Sequence, residues 1–421
     1  MSKLFLFVLL SSCALLIDTY EKDTLTEKDI SPIDKTEQTY CPIIQNKILI
    51  NESKNSQDVF EKLISKVSVK KPLSFIDKVV LWSLLQINLR PDQNSPTSKL
   101  QFALNYNQKE YYFNVFSSDK EDAPYFYLLE HLLKTFKSRH SLSSLATLYD
   151  NHMQRSLLVT EGLEEFLIQN KKELATHPIL SKIYMRGDET LKRNERLPKL
   201  EILPLVRFYL KKKNPKNYQV KQFLFKFQDQ ASFVPHCNFD MGLYENSIFL
   251  ISKDYITSNL FGMKDHENTF FAVSSQKLDK LTSYASSMVF EGSSSVRSAS
   301  ICLFKNRLKK DNRLWMVSTA SRDPGQHLYH YLEYGLNEVN SIKELDTMMK
   351  FSRHLFLKNP VRLVFEAKRS DQKQIQELLK LDIPLYNAKS LGRVWGFFQN
   401  QTESSFILDA RRAGAISCKS N

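Results

Sequence analysis

From Ser56 onward, apolar residues recur at helical spacing. Val59, Phe60, Leu63, Ile64 and Val67 fall on one face behind a serine cap, with Asp58 in the first turn. Ser74 and Asp77 then have the spacing of a capping box ahead of VVLWSLLQINL, and Pro91 stops that helix, which places Leu81, Trp82 and Leu85 in a core. Between Lys99 and Phe116 the period changes to two. Leu100, Phe102, Leu104 and Tyr106 alternate, Asn107-Gln108 supplies a turn, and Tyr112, Phe113 and Val115 answer on a second strand. Helical patterns resume in PYFYLLEHLLKTF, in SLSSLATLYDNHMQRSLL and in TEGLEEFLIQNKKELA, the last ending before Pro178. The first half of the chain therefore predicts a mostly helical N-terminal domain with one β-hairpin.

After Ser232 the pattern turns to short β-like runs. Candidate strands cover 247–252, 269–273, 300–304, 314–318, 362–366, 383–386, 394–398 and 406–409, with helices over 325–337 and 371–381. Residues 362–386 read as strand, helix, strand, which is one βαβ unit capped at Ser370. The whole predicts an α+β or mixed α/β protein. A helical domain over 56–191 would join a mixed α/β domain over 232–421 through a basic interdomain segment over 192–231.

The N-terminus carries an address. Met1-Ser2-Lys3 is a short positive region, Leu4 to Leu10 (LFLFVLL) an apolar one, and Leu10-Ser11-Ser12-Cys13 ends it with small residues before a cysteine. The apolar run is too short for a membrane span, which needs about 20 residues. The stretch resembles a bacterial lipoprotein signal peptide with its lipobox. That resemblance implies removal of residues 1–12 and lipidation, palmitate included, of Cys13 as the new N-terminus. With Ala14 rather than an aspartate next to it, the resemblance further implies an outer-membrane address in the cell envelope. Residues 18–38 are acidic and without apolar period, so 13–55 reads as a flexible tether behind the anchor.

Composition changes the picture in three ways. A hydrophobic content of 42% is ample for a core, while 10 glycines and the absence of GxGxxG and GxxxxGK[ST] disfavour Gly-rich phosphate loops. Apart from Cys13, the cysteines are Cys41, Cys237, Cys302 and Cys418. They permit up to two disulfides in three possible pairings, or stand as separate buried thiols. The net charge of +13 would suggest nucleic acid in a cytosolic protein. In an exported one it points to anionic lipid or cell-wall polymer, with membrane attachment through N-terminal acyl groups and no nucleic acid expected.

Much of that charge lies between Lys192 and Lys226, where eleven Lys and Arg face two acids. Lys211, Lys212, Lys213 and Lys216, with aromatic residues interleaved, are the candidate polyanion-binding residues. Pro198, Pro204 and Pro215 argue against a continuous helix there. For catalysis the densest constellation is Ser321 to Glu333, where His327, His330 and Glu333 at i, i+3, i+6 drift round one broad helical face. Asp323 before Pro324 reads as the helix cap. Gly292-Ser-Ser-Ser lacks the GxSxG context of a serine nucleophile, and His236-Cys237 are adjacent residues that point apart on a strand. No cofactor or metal is expected. The leading expectation is a lipid-anchored envelope protein with a binding or scaffolding role and no enzyme activity. The alternative is an exported hydrolase, possibly metal-dependent, built around His327, His330 and Glu333.

Overall fold

A computed structural model describes residues 36, 38–42, 45–70, 72–117, 122–153, 157–224, 236–238, 258–287, 289–294, 299–305, 312–321, 323–358 and 361–419. The chain starts with β1 (Lys47–Asn51), α1 (Lys54–Lys70) and α2 (Phe75–Leu89), followed by the hairpin β2 (Lys99–Tyr106) and β3 (Lys109–Ser117). Helices α3 (Pro124–Thr135), α4 (Leu142–His152), α5 (Glu161–Gln169), α6 (Lys171–Thr176) and α7 (Leu180–Tyr184) come next, then the two-residue strands β4 (Met185–Arg186) and β5 (Glu189–Thr190). Helix α8 (Ile202–Lys212) leads into β6 (Tyr218–Leu224) and β7 (His236–Cys237). Beyond it come β8 (Ser258–Asp265), β9 (Asn268–Ser283), β10 (Phe290–Ser294), β11 (Ser300–Lys305) and β12 (Arg313–Thr319). The last part holds α9 (Pro324–Glu333), α10 (Ile342–Met349), β13 (His354–Lys358), β14 (Val361–Phe365), α11 (Gln372–Leu379), β15 (Leu385–Asn387), β16 (Arg393–Gln399), β17 (Ser404–Ile407) and β18 (Ala415–Lys419).

Two sheets carry the architecture. The larger runs β18-β1-β8-β9-β2-β3-β6, with β10 also paired to β9, and the second runs β17-β16-β12-β11-β7. Alternation along single strands shows how they stack. On the larger sheet Phe102, Phe113 and Phe270 join the core shared with the helices of the first half. Their neighbours Ala103, Tyr112 and Phe271 join a second core, where they meet Val317, Trp395 and Phe397 of the other sheet. The opposite face of that second sheet, with Met316, Val394 and Phe398, packs on Leu328 of α9 and Leu345 of α10. The order is helices, sheet, sheet, helices, four layers over one continuous sandwich.

This overturns the expectation of a mostly helical N-terminal domain with one hairpin. Strands β1, β2 and β3 are members of the large antiparallel sheet, and their partners β8, β9, β6 and β18 come from the second half. The helical periods were real, since α2 forms behind the Ser74–Asp77 capping box. What local periodicity does not contain is the identity of a strand's partner some 160 or more residues away. The basic segment also differs from expectation: it contains α8, because Pro204 falls in the helix's first turn, where no intrahelical donor is needed.

The βαβ unit is present, with β14 and β15 parallel across α11 and β13 antiparallel on the other side, but its helix is capped by Asp371, which accepts from Gln374 N, and not by Ser370, whose hydroxyl bonds to Ser352 and Glu366. The four cysteines form Cys41–Cys418 and Cys237–Cys302, the second between register partners on β7 and β11. Cys13, the tether to residue 35 and the expected strand at 247–252 lie outside the described residues. No described helix is long and apolar enough to cross a membrane.

Candidate functional site

The histidines singled out from the sequence are in the core. Asp323 caps α9 by accepting from Gln326 N, as its place before Pro324 predicts. The helix then turns His327 and His330 inward, 1% and 6% exposed, while Glu333 points to solvent and bonds to Tyr329. His327 Nε2 lies 2.8 Å from Ser321 Oγ, and the His330 ring stacks on His354 at 3.7 Å between centroids. Burial pushes the pKa values of His327 and His330 well below the usual range; His354 acts in the same direction on both, and Arg353 does so on His327. The three residues thus do not converge on one cavity, and among the described residues no group of three or more His, Cys, Asp or Glu is placed to hold a metal.

Beside them, Arg353 donates to Asp409 at 2.7 Å, and Arg411 pairs with Glu366 at 2.8 Å. All four side chains are at most 2% exposed. They tie the segment before β13, the end of β14 and the loop after β17 into one ionic knot. Asp409 is held well below the usual carboxylate range because Arg353 and Arg411 outweigh the burial that opposes its charge.

A different set of charges lines open space. The end of β1 supplies Glu52, the turn after α2 supplies Arg90 and Asp92, β16 begins with Arg393, and β8 begins with Ser258. With Gly162 of α5, Ala320 after β12, and Arg412 before β18, they surround a cavity of about 200 Å³. A neighbouring cavity of about 210 Å³ shares Glu52, Glu161 and Ala413 with it, so the two form one elongated cleft.

The charges here are ordered. Arg90 forks onto Asp92, with Nε to Oδ1 at 2.9 Å and Nη2 to Oδ2 at 2.6 Å, and its Nη1 reaches Glu52. Arg393 Nη1 donates to the other Glu52 oxygen at 2.9 Å. Burial works to raise the Glu52 pKa, but the two guanidiniums prevail and hold it below the usual range. Glu52 is therefore a fixed anion and a poor base. Gly162 permits this packing, since a Cβ there would come within 2.5 Å of Arg90 Nη1. Arg412 donates Nε to Gly392 O at 3.2 Å and has no acid partner among the described residues. It lines the cleft together with Glu161 and Glu165 of α5.

Ser258 sits at the rim where the two sheets meet. Its register partner is Ser275 on β9, and its hydroxyl shares a hydrogen bond with Thr319 Oγ1 at the end of β12 on the other sheet. The next residue, Ala320, has φ 53, a left-handed conformation that costs a non-glycine residue about 1–2 kcal/mol. Strained backbone of this kind clusters at functional sites. Sequence reasoning missed every residue of this cleft, since each stands alone at an element end. Of the remaining candidates, Cys237 is in a disulfide and offers no free thiol. The expected polyanion-binding lysines lie on a separate face, where Lys211, Lys212 and Lys216 are exposed and Lys213 pairs with Glu130 at 2.5 Å.

No family model matches the chain, and no curated protein matches it. Solved structures do. Cephalosporin acylase from Bacillus halodurans superposes with a TM-score of 0.60 at 8% identity, covering 94% of this chain and 100% of the acylase. A structure of LmbA2991HD superposes with a TM-score of 0.59 at 7% identity, over 91% of this chain and 100% of its own. At these identities the likeness is one of fold, the four-layer sandwich of helices, sheet, sheet and helices.

Proposed function

We propose that the protein is an exported hydrolase of acyl amides whose reaction centre is Ser258 at the head of β8. The observation that carries this reading is the placement of a buried serine hydroxyl on the wall of a charged cleft, between the two sheets, in a fold shared with an acylase. A serine needs a base. Among the described residues the Ser258 hydroxyl bonds only to Thr319, and Glu52, a carboxylate of the cleft, is committed to two arginines. The base in reach is the residue's own nitrogen. It is an amide while residues 257 and 258 are joined and becomes an amine once that bond is broken.

In this mechanism Ser258 Oγ first attacks the carbonyl carbon of residue 257, and its proton passes to the peptide nitrogen as the C–N bond breaks, which leaves an ester at Oγ and an amine at the nitrogen. Water hydrolyses the ester, releasing a carboxylate on residue 257 and a free amine on Ser258. That amine then takes the Oγ proton as Oγ attacks a substrate amide carbonyl, and returns it to the departing amine. Water clears the acyl group. Arg412, which lines the same cleft as the buried Arg90–Glu52–Arg393 chain, would receive an anionic group on the substrate.

Export and anchoring through Cys13 belong to the same reading. They are supported by the lipobox of residues 10–13 and by two disulfides of a kind that persists in oxidising compartments. The His327, His330 and Glu333 site is not retained, because two of its members are sealed in the core. A panel of acyl amides bearing anionic or neutral acyl groups tests the activity. Turnover that is lost in Ser258→Ala, and whose KM rises for anionic substrates alone in Arg412→Gln, is the expected result. Hydrolysis that persists in Ser258→Ala would place the reaction elsewhere.

A further inference from the structure

Helix α8 separates its apolar and charged residues by face. Ile202, Val206 and Tyr209 are buried, and Tyr209 lies 5.7 Å from Phe126 of α3 between ring centroids. Arg207 and Lys211, one turn apart, are exposed on the opposite side, with Lys212 and Lys216 exposed just beyond. From Ile202 to Lys216 the chain has five cations and no acid. Glu201 precedes the helix at its other end, and Glu130 of α3 is already held by Lys213 and Lys134. Between Arg207 and Lys211, Leu210 is 40% exposed.

We infer that this face of α8 docks on an anionic phospholipid bilayer. The charge is complementary to acidic headgroups, and each lysine or arginine near such a surface contributes about 1 kcal/mol. The lone leucine among the cations fits an interfacial contact, where an apolar side chain enters the headgroup boundary beneath snorkelling lysines. Single-stranded nucleic acid, the other polyanion that such a stretch suggests, is bound by stacking bases on aromatic rings. Here the described aromatics are spent on the fold: Tyr209 and Tyr218 are buried, Tyr218 stacks on Tyr127 at 4.1 Å, and the half-buried Phe208 packs edge-on against Tyr284. The inference does not depend on the hydrolase reading. It sets which side of the molecule faces a membrane.

The test uses the full chain carrying Cys13→Ala, so that no acyl group contributes, and co-sedimentation with vesicles of phosphatidylcholine alone or with 30% phosphatidylglycerol. The expected result is binding to the anionic vesicles that weakens with salt and falls at least tenfold in the triple variant Lys211→Gln, Lys212→Gln, Lys216→Gln. A further loss in Leu210→Ser is expected, with circular dichroism unchanged because all four side chains are exposed. Equal binding of parent and triple variant would overturn the proposal. So would binding to single-stranded DNA as tight as to vesicles and unaffected by Leu210→Ser, since that outcome assigns the face to nucleic acid.

Discussion

Two of the buried charge clusters among the described residues differ in what they surround. Arg353, Asp409, Arg411 and Glu366 close on one another, with His327, His330 and His354 packed nearby, and line no cavity described above. Asp92, Arg90, Glu52 and Arg393 are bound just as tightly, but their chain forms the wall of a cleft that also holds Ser258 and Arg412. The first cluster is a joint, and the second lines the cleft in which the reaction is proposed. Dense titratable residues mark a site only when they share space with something able to enter.

The contrast can be broken most forcefully at the joint. Asp409→Ala leaves Arg353 buried without its partner and should destabilise the fold by about 3–5 kcal/mol, read from denaturant midpoints. Ser258→Ala removes one hydroxyl at the rim and should leave the midpoint within about 1 kcal/mol of the parent while abolishing turnover. If Asp409→Ala were neutral, or Ser258→Ala unfolded the protein, the division into joint and site would fail.

The pH response sharpens the same comparison. Burial lowers His354 to about 4, whereas an unfolded histidine titrates near 6.5. The unfolded chain therefore binds more protons between pH 6.5 and 4. Stability is full above 6.5 and falls through that window by about 3 kcal/mol from this residue alone. His327 and His330, shifted in the same direction, add to the loss. Urea titrations at pH 7 and pH 4.5 should show it, and His354→Gln should reduce the difference. A midpoint indifferent to pH over this range would contradict the sealed state of the joint. The smallest effect is at the cleft: Ala320→Gly relieves a left-handed backbone and should raise stability by about 1 kcal/mol or less, a gain a thermal melt can resolve.

Much of the local structure was legible. The hairpin of β2 and β3, the helix behind Ser74 and the βαβ unit from β14 to β15 all follow from period and caps. Strand β8 did not announce itself. Gly262 breaks its apolar run because a Cβ there would come within 2.7 Å of Phe270 O, and Lys264 is buried by donating to Gln45 O. The site was less legible still. Glu52, Arg90, Ser258, Arg393 and Arg412 are spread over some 360 residues, and only the pairing of distant strands brings them together. His327 and His330 lie three residues apart and drew notice for that reason, yet α9 turns both inward. In α8, by contrast, Lys211 and Lys212 are exposed while Lys213 after it pairs with Glu130, and the neighbouring Tyr209 and Tyr218 are buried.

The central claim is that Ser258 becomes a free N-terminus and works as the nucleophile. Intact-mass analysis and N-terminal sequencing of the purified full chain test it most directly. The account predicts two fragments, the second beginning at Ser258, and a single uncut chain for Ser258→Ala. An enzyme that hydrolyses acyl amides while its 257–258 bond stays whole, or a Ser258→Ala chain cut at the same place, would contradict it.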